Sequence, residues 1–192
     1  MHKSIPLVSA LFVLVGMILC CACVSQPTGQ TSQQNSMLSW INTPAESSRI
    51  SFEEAKASLI EFRLHEMNTL INPGSVQYLR LRDVDSSGNA SGWIFGVHNG
   101  REAEFLVYDR TGWTTIRNVT LPDEEFALDS VVSPALLFKQ NTVLVLGDPP
   151  RSVPERRDIE LQRGLYKLTI TSDNTQRTLT FNATTGMLIT ER

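Results

Sequence analysis

The chain has 192 residues, 41% of them hydrophobic and 19% charged, with a formal net charge of −3 at neutral pH. That apolar content suffices for an ordinary core in one medium domain or two small ones. The mild acidity excludes nucleic acid as a partner, because such binding needs clustered Lys and Arg to displace counterions.

The N-terminus sets the expected location. Met1, His2 and Lys3 lead into an apolar segment over residues 5–24 that carries Cys20, Cys21, Ala22 and Cys23 near its end. A stretch rich in Ser, Thr, Gln, Asn and Pro follows. Charge, apolar run, small residues and polar linker in that order are the layout of an export signal or membrane anchor. Cys23 follows the small Ala22, with Leu19 a few positions earlier. The arrangement resembles a lipoprotein signal, in which cleavage before a cysteine leaves its thiol to carry a lipid, so Cys23 is the expected lipidation site. It departs from the usual pattern in placing Cys20 and Cys21 between the Leu and the modified Cys. An uncleaved N-terminal helix is the alternative anchor, since about 20 apolar residues can span a bilayer. Residues 1–23 are therefore read as signal peptide or anchor and 24–48 as a flexible polar linker. The remainder faces outward, on the extracytoplasmic side of the cell membrane. No cysteine follows Cys23, so that part holds together without disulfides.

The first folded element is a helix expected over residues 51–70. Ser51 and Glu54 form a capping box, Ala55, Leu59, Phe62, Met67 and Leu70 follow near helical spacing, and Pro73-Gly74 stops it. Strands are expected at 76–81, 93–97, 104–109 and 113–118. The Asn99-Gly100 pair reads as the centre of a hairpin turn, because both central positions of the favoured type need positive φ. A shorter helix starts at Ser133 and Pro134, carries Ala135 to Phe138, and ends at Asn141. Residues 142–146 read as a strand, and 147–154 as an insertion. Further strands are expected at 166–170, 178–182 and 187–190.

These elements repeat. Trp93, Phe95 and Val97 can be laid over Tyr166, Leu168 and Ile170, and Phe105 and Val107 over Leu179 and Phe181. Each set alternates as a half-buried strand requires. In the second copy Lys167, Thr169, Thr171, Thr178 and Thr180 face the other way. Both copies close on a glycine-containing turn, Asp109-Arg-Thr-Gly112 and Asn182-Ala-Thr-Thr-Gly186. The fold expected is α+β, with two repeated units over residues 49–120 and 121–192, each a helix packed on an antiparallel sheet.

Ile50-Ser-Phe-Glu-Glu-Ala-Lys56 resembles the start of a PepSY-type domain, where a short Ser-capped helix precedes an antiparallel sheet. Thr180-Phe-Asn-Ala-Thr-Thr-Gly-Met-Leu-Ile189 is similar to that family's closing hairpin, with Asn182 where an Asp is usual. Asp109-Arg-Thr-Gly112 echoes it. The resemblance implies an exported or membrane-attached module, of a kind in some cases thought to restrain peptidases. It supplies no catalytic residue.

Chemistry-bearing residues are sparse. His65-Glu66 opens like a zinc-protease helix motif, but Thr69 stands where the second His is needed, so two solvated residues are expected. Asp83, Asp85, Ser87 and Gly88 match the opening of a calcium loop, yet Ile94 stands where the bidentate Glu belongs. An acidic hairpin turn is expected there, and no metal. Beyond residue 24 only His65 and His98 could serve as imidazole bases, and neither has a nucleophile at a useful spacing. Asp123-Glu124-Glu125 are contiguous and so do not converge on one substrate. No catalytic residue, cofactor or phosphate loop is expected. Asn89-Ala-Ser, Asn118-Val-Thr and Asn182-Ala-Thr are acceptor sequons for glycans, all at expected turns or strand ends.

The function this implies is non-catalytic binding of a peptide, a peptidase or an envelope protein at the cell surface, with the membrane itself held through the N-terminal lipid or helix. The rivals are a hydrolase with an unrecognised site and a structural component of the cell envelope.

Overall fold

Ser51 starts the first helix as its spacing predicts: the Ser51 hydroxyl accepts from the Glu54 N–H at 3.2 Å, and helix α1 runs over Phe52–His65. The computed structural model describes residues 49–68, 72–100, 102–147, 155–173 and 175–192, which belong to one unit. Cys23, the expected anchor and the linker lie outside the described residues. Helix α1 stops earlier than expected, with Glu66 as its last cap and Asn68 at a positive φ of 51°. Arg63, buried on the last turn, helps to fix the chain beyond it. Its Nη1 donates to the carbonyls of Pro73 (3.1 Å) and Ser75 (2.6 Å), and burial lowers the guanidinium's pKa.

Four strands then run up and down: β2 (Tyr78–Arg82), β3 (Gly92–Asn99), β4 (Glu102–Asp109) and β5 (Gly112–Arg117). A two-residue β1 (Ser75–Val76) precedes them and pairs with an equally short β6 (Phe126–Ala127). The strand expected over 76–81 is thus broken at Gln77, whose N–H bonds to the Gly96 carbonyl at 2.8 Å. A single 3-10 turn (Leu128–Ser130) leads to α2 (Pro134–Gln140), capped by Ser133, and α3 (Thr142–Leu146). A second meander of four follows: β7 (Arg156–Gln162), β8 (Leu165–Ser172), β9 (Thr175–Asn182) and β10 (Leu188–Glu191).

All eight long strands form one antiparallel sheet in the order β10-β9-β8-β7-β2-β3-β4-β5. The meanders meet through their first strands, Leu79 opposite Leu161 and Leu81 opposite Ile159. The fold is α+β with a large antiparallel sheet and few helices.

The sheet's two faces differ. One carries Leu79, Leu81, Trp93, Phe95, Val97 and Leu106 from the first meander and Ile159, Leu161, Tyr166, Leu168, Leu179 and Phe181 from the second, all buried. The helices lie on this face. Phe52 and Phe62 of α1 reach Trp93 and Trp113, at ring separations of 5.8 and 4.8 Å. The Trp93 and Trp113 indole N–H groups donate to the Ile50 carbonyl and the Ser58 hydroxyl. Over the second meander, Tyr166 Oη donates to the Val132 carbonyl at 2.8 Å and Arg177 Nη2 to the Leu144 carbonyl at 2.6 Å. On the opposite face, Leu121 covers Gly96, where a Cβ would run into both Leu121 and Tyr78. Farther along that face Lys167 and Thr171 are exposed, and Thr169, Thr178 and Thr180 half-buried, as their alternation predicts.

Four expectations are corrected. Residues 142–146 are helical, not extended. Asn141 ends α2 and begins α3, whose Val145 N–H bonds to the Asn141 carbonyl at 2.9 Å, so the β-branched run continues a helical path already set. Only Val145 of α3 is buried. The first strand of the second meander is β7, where only Ile159 and Leu161 supply apolar residues. Phe105 and Val107 lie on the face opposite Trp93 and Phe95, because Phe95 pairs with Leu106 and Trp93 with Tyr108. A shift of one residue changes the face. Last, Asn99 belongs to β3, paired with Glu102, and Gly100 at φ 64° begins the turn one residue later than expected.

Candidate functional site

Among the described residues the sheet leaves two strands with a free side, β5 and β10, and they are built differently. On β5, Trp113 is tucked toward α1, Ile116 is half-buried, and Thr114, Thr115 and Arg117 are the exposed positions. On β10 every residue is exposed, and the apolar ones are large: Leu188 at 38% and Ile189 at 56%, with Met187 just before them at 69%.

The backbone of β10 is equally open. Thr178 and Arg192 exchange hydrogen bonds in both directions, at 2.8 and 2.9 Å. In an antiparallel ladder the next pair inward, Leu179 opposite Glu191, is then the non-bonded kind, so the Glu191 N–H and C=O point away from β9. A register shift between Leu188 and Thr190 bends the strand. Arg177 holds Glu191 at 3.3 Å. The start of β10 is fixed to α2 by Asn141, whose Nδ2 donates to the Gly186 carbonyl at 2.9 Å. The result is an edge unpaired among the described residues, with large apolar side chains, and no Lys or Pro between residues 187 and 191 to discourage pairing.

A concavity, about 330 Å³ and wide open, lies between the first turns of α1 and α2. Lys56 dominates it, bound to Glu53 at 2.7 Å and Asp129 at 3.0 Å. Those hydrogen bonds raise the Lys56 pKa, which keeps the amine charged and is the wrong direction for a nucleophile. Tyr78, pushed up to about 12 by burial, is likewise held protonated.

The residues singled out by sequence do not converge. His65 is exposed at the end of α1 and His98 is exposed near the end of β3. The acidic loop uses its carboxylates to hold its own turn and to pair with Arg49. Asp85 Oδ1 accepts from the N–H groups of Ser87 and Asn89, and Asp83 Oδ2 accepts from Arg49 at 3.0 Å. Gly88, at φ 80°, sits so close to Pro134 and Ala135 that any side chain there would collide with the start of α2. Among the described residues no group of three or more His, Cys, Asp and Glu is placed to hold a metal. Nor is any described helix long and apolar enough to cross a membrane.

The three sequons differ in access. Asn89 is half-buried and donates to Asp85 at 3.4 Å, beside the buried Ala90 and Ser91. Asn182 Oδ1 accepts from the Thr184 and Thr185 N–H groups at 3.0 and 2.9 Å. Asn118 and Thr120 are exposed. Residues 187–190 are legible as a strand in the sequence, but the exposure of their apolar side chains is not, because edge position is a property of strand order. No family model, curated protein or solved structure matches this chain.

Proposed function

We propose that this is a non-catalytic binding protein on the extracytoplasmic face of a cell membrane, attached through a lipid on Cys23 or through an uncleaved N-terminal helix. Its ligand is an extended segment of a peptide or envelope protein, added as a further strand along β10. The observation that carries this reading is the open β10 edge, with backbone groups unpaired among the described residues and flanked by exposed Met187, Leu188 and Ile189. Main-chain pairing supplies affinity in such strand addition, and alternate side chains supply selectivity.

The sheet is, in this reading, two copies of a PepSY-like unit, each a helical segment followed by a four-stranded meander. Support comes from strand-by-strand correspondence. Trp93, Phe95 and Val97 match Tyr166, Leu168 and Ile170; Leu106 and Tyr108 match Leu179 and Phe181. Asp109 then matches Asn182, and each side-chain oxygen accepts the N–H two residues on. Pairing of the two first strands at the centre relates the halves by an approximate two-fold and leaves the last strand of each half at an outer edge.

The test is a pull-down of the tethered full-length protein from its own membranes. Ile189→Lys places a charge on the β10 edge and should lower partner recovery about ten-fold or more, while Thr114→Lys on the β5 edge should not. Equal recovery by both variants would rule out the β10 reading.

A further inference from the structure

We propose that Asn118 is an N-glycan acceptor and that the glycan screens the β5 edge, which leaves β10 as the edge open to partners. The proposal rests on the exported location argued above. Of the three sequons, only Asn118-Val-Thr120 is presented to a modifying enzyme. A transferase must grip the acceptor amide, the backbone after it and the hydroxyl two residues on. At Asn89 those groups are embedded: Ala90 is fully buried with both backbone groups paired to Ile50, and the buried Ser91 hydroxyl donates to the Arg82 carbonyl. At Asn182 the side-chain oxygen accepts three bonds from Thr184 and Thr185. Ala183 after it is fully buried, with its N–H on Gly164 and its carbonyl on Val132.

Asn118 differs in its side chains and in how loosely the residue after it is held. Neither its side chain nor that of Thr120 is engaged by another described residue, both are exposed, and the segment is tied locally by one long Val119 N–H to Ala103 carbonyl bond of 3.4 Å. Asn118 lies at φ 58°, directly after Arg117 ends β5. A sugar on it is attached at the very end of this edge strand, within reach of its free side.

The chemistry requires a donor of one class, an oligosaccharide linked through phosphate or pyrophosphate to a membrane polyprenol. The Asn118 Nδ2 attacks the anomeric carbon, the C–N bond forms as the anomeric C–O bond breaks, and the lipid phosphate leaves. The amide proton passes to a base on the transferase, and nothing is oxidised or reduced.

The full-length protein purified from its own cells tests this by tryptic mapping, because the three sequons fall on separate peptides, 83–101, 118–139 and 178–192. A glycan mass is expected on 118–139, and not on the other two. Asn118→Gly, which suits the positive φ, and Thr120→Ala, which leaves Asn118 untouched, should each abolish the mass completely. An exported protein with bare Asn118, or with sugar on Asn89 or Asn182, would overturn the proposal while leaving the location intact. Recovery of an unprocessed chain from the cytoplasm would overturn both.

Discussion

Leu79 of β2 and Leu161 of β7 sit directly opposite one another at the centre of the sheet, both fully buried, and join its two halves. Because the core continues across this contact, the halves are expected to unfold together. Leu161→Ala should cost about 2–5 kcal/mol, the range for emptying a buried aliphatic site. Near-ultraviolet signals from Trp93 and Trp113 should be lost in the same denaturant transition as far-ultraviolet ellipticity. Two separated transitions would show that the halves are independent.

Alkaline sensitivity is a second expectation. The unfolded Tyr78 phenol ionises near pH 10, whereas burial holds the folded one up to about 12. Between those values the unfolded state has released a proton that the folded state keeps, so stability falls as pH rises and is fully present below pH 10. Tyr166 is raised by burial too, and Lys56 by its bonds to Glu53 and Asp129, so both push the same way. Denaturation midpoints should be flat from pH 7 to about 9.5 and decline above it, with a shallower decline in Tyr78→Phe. A midpoint independent of pH up to 11.5 would contradict this.

Much of this architecture was legible from local signals, and the failures have physical causes. Ser51, Ser133 and Pro134 mark helix starts because capping acts over three residues, and each sits where it was expected. The alternation Tyr166, Leu168, Ile170 reveals a face because one side of β8 lies on the core. Phe105 and Val107 mislead because in β4 both faces are partly covered, so apolar residues occur on each and alternation loses its meaning. Residues 142–146 mislead because the β-branched Thr142, Val143 and Val145 suit strands, while the hydrogen bonds at Asn141 carry the helical path forward. Strand β7 was missed because its outward positions are Arg156, Asp158, Glu160 and Gln162, which read as a solvated loop. The open edge was not legible as a site, since strand order arises from β2 pairing with β7, a contact between distant parts of the chain.

Anchoring through Cys23 has its own test. Cys23→Ser should release the protein from the membrane or block processing, while Cys20→Ser should be mild. Intact-mass analysis of the membrane form should give a chain beginning at a lipid-modified Cys23; a chain still beginning at Met1 or His2 would contradict lipidation.

The most direct measurement places a photoreactive residue at Ile189 on β10, and in a parallel variant at Thr114 on β5, in the full-length protein within its own membranes. Irradiation should join the 178–192 peptide to a defined segment of another envelope protein or peptide, with little product from position 114. No cross-link from Ile189, or equal yields from both edges, would contradict strand addition at β10.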